Sequence, residues 1–147
     1  MLDSFSFDWQ NAGTNLLRML VAFVLAFPLA WERERSGRNF GLRTFPIVAV
    51  ASCGYMLIAL QTHGATAESV TRALQGLLGG MGFIGGGAIL KSNGRVHGLA
   101  TAASLWSTGA IGAAVAFHRL EIAVALALAN FALLRWLKPL KHDDGET

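Results

Sequence analysis

The stretch GLLGGMGFIGGGAIL, Gly76 to Leu90, decides how the rest of the chain is read. It is apolar enough to sit in lipid and so rich in glycine that it would be a poor helix in water. At about 100° per residue, Gly76, Gly79, Gly80, Gly86 and Gly87 fall with Phe83 on one face, which is nearly bare backbone. An interior glycine costs about 1 kcal/mol relative to alanine in a helix in water, whereas in a bilayer the alternative to the helix is an unsatisfied amide, which costs several kcal/mol. The helix therefore survives in lipid, and its smooth side lets neighbouring backbones approach. Residues 73–90 are read as the central helix of a packed membrane bundle.

The whole chain agrees with that environment. Of its 147 residues, 53% are hydrophobic and only 14% charged, against roughly a quarter charged in ordinary globular chains, and long uncharged runs separate the charges. Cys53 is the sole cysteine, so an intrachain disulfide and a thiolate zinc cluster are both excluded, and its apolar surroundings suit a small buried hydrophobe. The net charge of +3 is placed between apolar runs and not along an amphipathic face, which argues against nucleic acid. The N-terminus MLDSFSFDWQ is acidic and lacks the features of a cleaved secretory signal, so it is expected to be retained.

The pattern predicts an all-α membrane protein, a compact bundle of five transmembrane helices forming a single domain over residues 1–140. The spans fall at about 14–31, 45–61, 73–90, 99–117 and 120–137. Residues 1–13 form an amphipathic lead-in with Trp9 at headgroup level. Pro46 opens the second span in a favoured early position, and Thr66 or Ser69 caps the third helix. KSNGRVHG, Lys91 to Gly98, makes a turn around an Asn-Gly pair, His118 and Arg119 make a tight turn, and residues 141–147 form a disordered tail. In the fourth span Ala103, Ser107, Ala110 and Ala114 lie along one stripe, a second small-residue face suited to pack against the first.

Five spans put the chain ends on opposite sides, and the basic residues choose between the two orientations. With the N-terminus outside, the cytoplasmic side holds Arg33, Arg35, Arg38, Arg43, Lys91, Arg95, Arg135, Lys138 and Lys141, and the outer loops only Arg72 and Arg119. The bias predicts N-terminus out, C-terminus cytoplasmic.

Few side chains within the spans carry chemistry. Arg18, Gln75, Ser104 and Asn130 are candidates for a polar interior, together with Ser107 and Thr108, which are also able to bond back to their own helix carbonyls. Asn130 shares a stripe with Ala123 and Ala127 and is expected to donate to another helix. Apart from Glu121 at the very edge of the fifth, no carboxylate lies in a span, so a dehydrated Mg²⁺ site built by one copy is disfavoured and no metal or other cofactor is expected, although hydrated Mg²⁺ held at the cytoplasmic surface stays open. His63, His97, His118 and His142 show no ligand spacing, no nucleophile stands beside a histidine, and catalytic residues are not expected. Gly80, Gly82 and Gly85 match GxGxxG, but no strand precedes them and no acidic residue follows about 20 residues on.

Three stretches in order, WERERSGRNFGLRT (Trp31–Thr44), GLLGGMGFIGGGAILKSNGRVHGLATAASLW (Gly76–Trp106) and ANFALLR (Ala129–Arg135), resemble the membrane domain of the MgtC/SapB family of bacterial inner-membrane proteins. The resemblance runs from about Leu16 to Leu140. It implies about five spans, a multi-pass protein in the bacterial inner membrane, links to growth in low magnesium, and action by regulating other membrane proteins. The virulence-type members carry Asn where this chain has Ala100, Cys where it has Ser107, glycines where it has Ala26 and Ala30, and a soluble C-terminal domain. The short, SapB-like form is the better match.

The expected function is therefore a non-enzymatic regulator working by helix-to-helix contact, with a second copy (a homo-oligomer such as a dimer) or with another inner-membrane complex, within the lipid bilayer and without nucleic acid. Gly76, Gly79, Gly80, Gly86, Gly87, Ala103, Ser107 and Ala110 set the packing, and Glu32, Arg33, Arg38, Arg43 and Thr44 form a cytoplasmic contact set. The alternatives are an oligomeric permease or channel lined by Arg18, Gln75, Ser104 and Asn130, and a headgroup sensor acting through Arg33 and Arg38.

Overall fold

A computed structural model of the chain describes residues 9–36, 41–92 and 95–136. In chain order the elements are α1 (Trp9–Arg35), α2 (Thr44–Gln61), α3 (Ala67–Gly87), an antiparallel ribbon of β1 (Leu90–Ser92) and β2 (Arg95–His97), α4 (Leu99–Ala116) and α5 (Leu120–Trp136). Residues 1–8 of the lead-in, Arg38, the Asn-Gly pair and the tail lie outside the described residues.

Local chemistry accounts for the boundaries. The first helix is longer than 14–31 because WERER continues it. Glu and Arg are good helix formers, and Arg33 and Arg35 in the last turn complement the helix dipole. Thr66 caps α3 by accepting from the Ser69 amide at 3.2 Å while Ser69 Oγ accepts from the Thr66 amide at 2.9 Å, so α3 begins well before residue 73. It ends at Gly87 because the chain then enters the ribbon, where Leu90 pairs with His97 and Ser92 with Arg95. The segment Lys91–Gly98 is thus more than a turn. Gly98 joins the ribbon to α4 at a φ of 92°, and a Cβ there would run into the Ala88 carbonyl oxygen, so the position requires glycine. Between α4 and α5 the turn is closed by the Arg119 amide donating to the Ala114 carbonyl at 2.9 Å, with His118 left-handed at 59°.

The helix at the centre is α4, not α3. Of the residues of α4, 61% are buried, against 44% for α2 and 17% for the apolar length of α1, and α4 touches all four other helices. It crosses α2 closely: a Cβ at Gly112 would collide with the Ala49 carbonyl oxygen and lie 2.9 Å from Ser52 Cβ and 3.0 Å from the Cys53 amide. Phe45, Met56, Leu29, Leu105 and Ile111 fill the space around this crossing, and Ala22, Ala26 and Ala30 form the buried stripe of α1. By contrast α3 lies at the edge, touching α2 and α4, with Met81 and Gly85 its only buried described residues.

Among the described residues three helices are long and apolar enough to cross a membrane: Asn11–Arg35, Thr44–Gln61 and Leu99–Ala116. The other two fall short of that description for separate reasons. The first turns of α3 carry Glu68, Thr71, Arg72 and Gln75, and α5 has 17 residues.

Candidate functional site

Two features stand out, a bare face and a polar cavity. The bare face belongs to α3. A Cβ placed on Gly76, Gly79, Gly80, Gly82, Gly86 or Gly87 meets nothing within 4 Å, and Phe83 beside them is 86% exposed. Among the described residues these glycines therefore bring no neighbour into close packing. On one flank Gly76 and Gly80 help to line an apolar groove of about 530 Å³ between α2 and α3, whose other walls include Ile47, Tyr55 and Ile84. The intramolecular close packing falls to glycines that the sequence pattern did not single out. A Cβ on Gly85 would lie 3.3 Å from the Ala102 carbonyl oxygen, and one on Gly109 2.8 Å from Met81 Cγ. Their signal was present, since GlyAlaIleGly at 109–112 places two small residues on adjacent turns, but α3 held the denser run.

The expected stripe on α4 does not meet that bare face. Ala103 is exposed and Ser107 half-buried, and both line a second cavity, of about 550 Å³, between α4 and α5. Ala110 is half-buried and Ala114 buried. What meets α3 is the neighbouring stripe through Ala102 and Gly109, about 100° away, because the helix is rotated about its axis from the expected register.

The second cavity gathers much of the chain's polar chemistry. Ser104 Oγ donates to the Ala100 carbonyl at 2.7 Å, and the Ser104 carbonyl accepts from Thr108 Oγ1 at 2.8 Å and from Asn130 Nδ2 at 3.3 Å. Asn130 thus bridges α5 to α4, on a stripe with the buried Ala123 and Ala127. Of the four polar candidates, Ser104 and Asn130 meet here. Arg18 is half-buried in α1, and Gln75 is exposed on α3 beside Glu68, Thr71 and Arg72, so neither joins them. Gln75 is not interior because the face of α3 that carries it has no neighbouring element among the described residues.

At the ribbon end the last turn of α1 reaches the same cavity. Arg33 is 8% exposed and lines it with His97, Gly98 and the first turn of α4. Glu32, 6% exposed, pairs with Arg135 Nη1 of α5 at 3.5 Å, and Glu34 Oε2 accepts from the Leu42 amide at 3.2 Å. Arg43 is exposed at the start of α2 and Thr44 half-buried beside it. Thr101, which the sequence pattern did not mark, is 2% exposed, lines the cavity and has a buried Oγ1 with no hydrogen-bond partner among the described residues. Ala100 and Ser107, two of the four positions distinguished above from the virulence-type sequences, line it as well. Among the described residues no group of three or more His, Cys, Asp and Glu side chains converges on a metal position. The charges at the opposite end are paired, Arg72 with Glu68 at 2.6 Å and Arg119 with Glu121 at 2.5 Å.

Apolar helices around a small-residue crossing define a helical membrane protein, and comparison with known proteins places it further. The chain belongs to the MgtC family, which it matches over residues 19–143. It is 37% identical over 120 residues to Protein SrpB of Synechococcus elongatus, covering 74% of this chain and 64% of the relative. To Protein MgtC of Brucella abortus it is 35% identical over 130 residues, 86% of this chain and 54% of the relative. To the Putative magnesium transporter YhiD of Escherichia coli it is 28% identical over 115 residues, 74% and 54%. The chain thus spans about half to two thirds of the length of these relatives. No solved structure matches it.

Proposed function

We propose that this protein is a non-enzymatic regulator in the bacterial inner membrane that acts on another membrane protein, or on a second copy of itself, through the glycine face of α3. In this reading all five helices cross the bilayer, with the N-terminus outside and the ribbon end cytoplasmic, and the activity serves adaptation to low magnesium. The observation that carries it is the open face itself: a Cβ added at Gly79, Gly82, Gly86 or Gly87 would meet no other part of the described chain within 4 Å, and Gly76 and Gly80 border an apolar groove. A helix lined with glycine gains little from lipid tails, which pack poorly against bare backbone, and gains most from a second helix that approaches closely. Membership in a family that includes a putative magnesium transporter by name supports the link to magnesium.

The test is a disulfide crosslinking scan in native membranes, on a background in which Cys53 is replaced by alanine. Gly79→Cys and Gly86→Cys are expected to trap a second copy or a discrete partner, whereas Val24→Cys on the outward face of α1 is not. If no small-residue position on α3 captures a neighbour, the proposal loses its basis.

A second reading, an oligomeric permease or channel, is favoured by the cavity beside Ser104 and Asn130. Ion uptake into liposomes containing only the pure protein, abolished by Asn130→Leu, would establish it; no flux of any common ion would leave the regulator ahead.

A further inference from the structure

We propose that the cavity between α4 and α5 binds an uncharged lipid through a hydroxyl on its head, held by the side-chain amide of Asn130 and the hydroxyl of Ser107. The inference rests on the reading that both helices cross the bilayer and is independent of how the face of α3 is used. Asn130 is 8% exposed and lines the cavity. Its one hydrogen bond among the described residues runs from Nδ2 to the Ser104 carbonyl, and because that partner is an acceptor the other end of the amide must be its oxygen. Asn130 Oδ1 thus accepts from nothing among the described residues, yet it keeps accessible surface. Ser107 repeats the pattern on the facing wall. Ser104 and Thr108 return their hydroxyls to carbonyls four residues earlier, at 2.7 and 2.8 Å, whereas Ser107 makes no such bond among the described residues and lines the cavity with its hydroxyl accessible.

The position of these two groups selects the ligand. At 1.5 Å per residue Asn130 lies about 9 Å from the ribbon-side end of α5, and Ser107 about 12 Å from that of α4, depths at which hydrocarbon surrounds a membrane bundle. An amide oxygen or a hydroxyl without a partner is costly there. The pair offers an acceptor and a donor without charge, since Arg33, the charged lining residue, stands at the ribbon end. A head that combines a hydroxyl with an ester carbonyl answers both, the hydroxyl donating to Asn130 Oδ1 and the carbonyl accepting from Ser107. A divalent cation would find no carboxylate among the lining residues. Leu126, Leu133 and Leu134 continue the wall, and Leu133 is 57% exposed, so the approach is from the acyl chains. A partner helix would place one side chain there and leave most of the volume of about 550 Å³ unfilled, whereas the head and upper chains of a diacylglycerol suit it.

The full chain, purified in neutral detergent, is offered dioleoylglycerol and, separately, its methyl ether, in which the hydroxyl donor is blocked, with retention read by native mass spectrometry. The free alcohol is expected to be retained about three- to tenfold more than the ether, the range of one hydrogen bond in lipid. Asn130→Leu is expected to abolish that preference, and Ser107→Ala to weaken both lipids about threefold while keeping it; Val24→Ala, on the outward face of α1, changes neither. The proposal is overturned if neither lipid is retained, if the parent holds the two equally, or if Asn130→Leu still prefers the alcohol. The placement of α5 is tested separately with Leu128→Cys, at an outward position that is 64% exposed, on a Cys53→Ala background and with a membrane-impermeant maleimide. Protection is expected. Labelling overturns the five-span reading and the site with it, whereas protection together with equal retention of the two lipids overturns the site alone.

Discussion

The glycines of α3 and those of α4 are the same residue in the same kind of helix and do opposite things. Gly109 and Gly112 are buried, and a side chain on either would strike Met81 or the backbone of α2. A side chain started at Gly76, Gly79, Gly80, Gly86 or Gly87 would meet nothing within 4 Å among the described residues. In α4 the helix-propensity cost of glycine is offset inside the chain by a close crossing; in α3 only Gly85, against Ala102, is offset in that way, and for the five on the bare face nothing among the described residues offsets it. A glycine-rich run therefore identifies a helix that tolerates close approach. It does not say whether the approaching surface belongs to the same molecule.

Substitutions turn this contrast into measurements, all read as thermal unfolding in detergent. The largest effect is expected for Gly112→Leu, because the Ala49 carbonyl and the Cys53 amide are backbone and have no room to yield; about 3 kcal/mol of stability is lost, and a melting temperature within a degree or two of the parent would contradict the crossing. Met81→Ala follows at about 2 kcal/mol, since it empties the hollow over Gly109. Combining it with Gly109→Ala sharpens the result: the two losses are expected to sum to more than the double variant shows, because alanine at 109 fills part of the space that Met81 leaves. Asn130→Leu removes the bond to the Ser104 carbonyl and costs about 0.6 kcal/mol. The smallest effect is expected for Gly79→Leu, which has open space around it and gains helix propensity. Its stability should stay within about 0.5 kcal/mol of the parent or rise, while crosslinking through α3 is lost. A large destabilisation there would mean that the face is covered after all.

Much of the fold was legible beforehand. Five helices stand close to where apolar runs and turn signals put them, the Thr66 cap is as the spacing suggested, and Asn130 reaches another helix from a stripe with Ala123 and Ala127. The candidate site was legible in part. Ser104 and Asn130 come together, but Gln75 faces outward, and Ala103 and Ser107 line a cavity where contact with the glycine face was expected. Thr101 gave no local signal, because what makes it unusual is the absence of a partner, and that depends on every neighbouring element at once.

The chain by itself determined which segments are helical and which faces are smooth, polar or apolar, because those properties follow from backbone satisfaction in lipid and from a period of 3.6 residues. Only the tertiary structure decided that α4 is the centre and α3 the edge. The energy of close packing depends on which of several similar small-residue faces meet. Differences of a few tenths of an ångström in backbone separation, at Gly112 and Ala49 above all, are set by the whole bundle and by no single stretch of it.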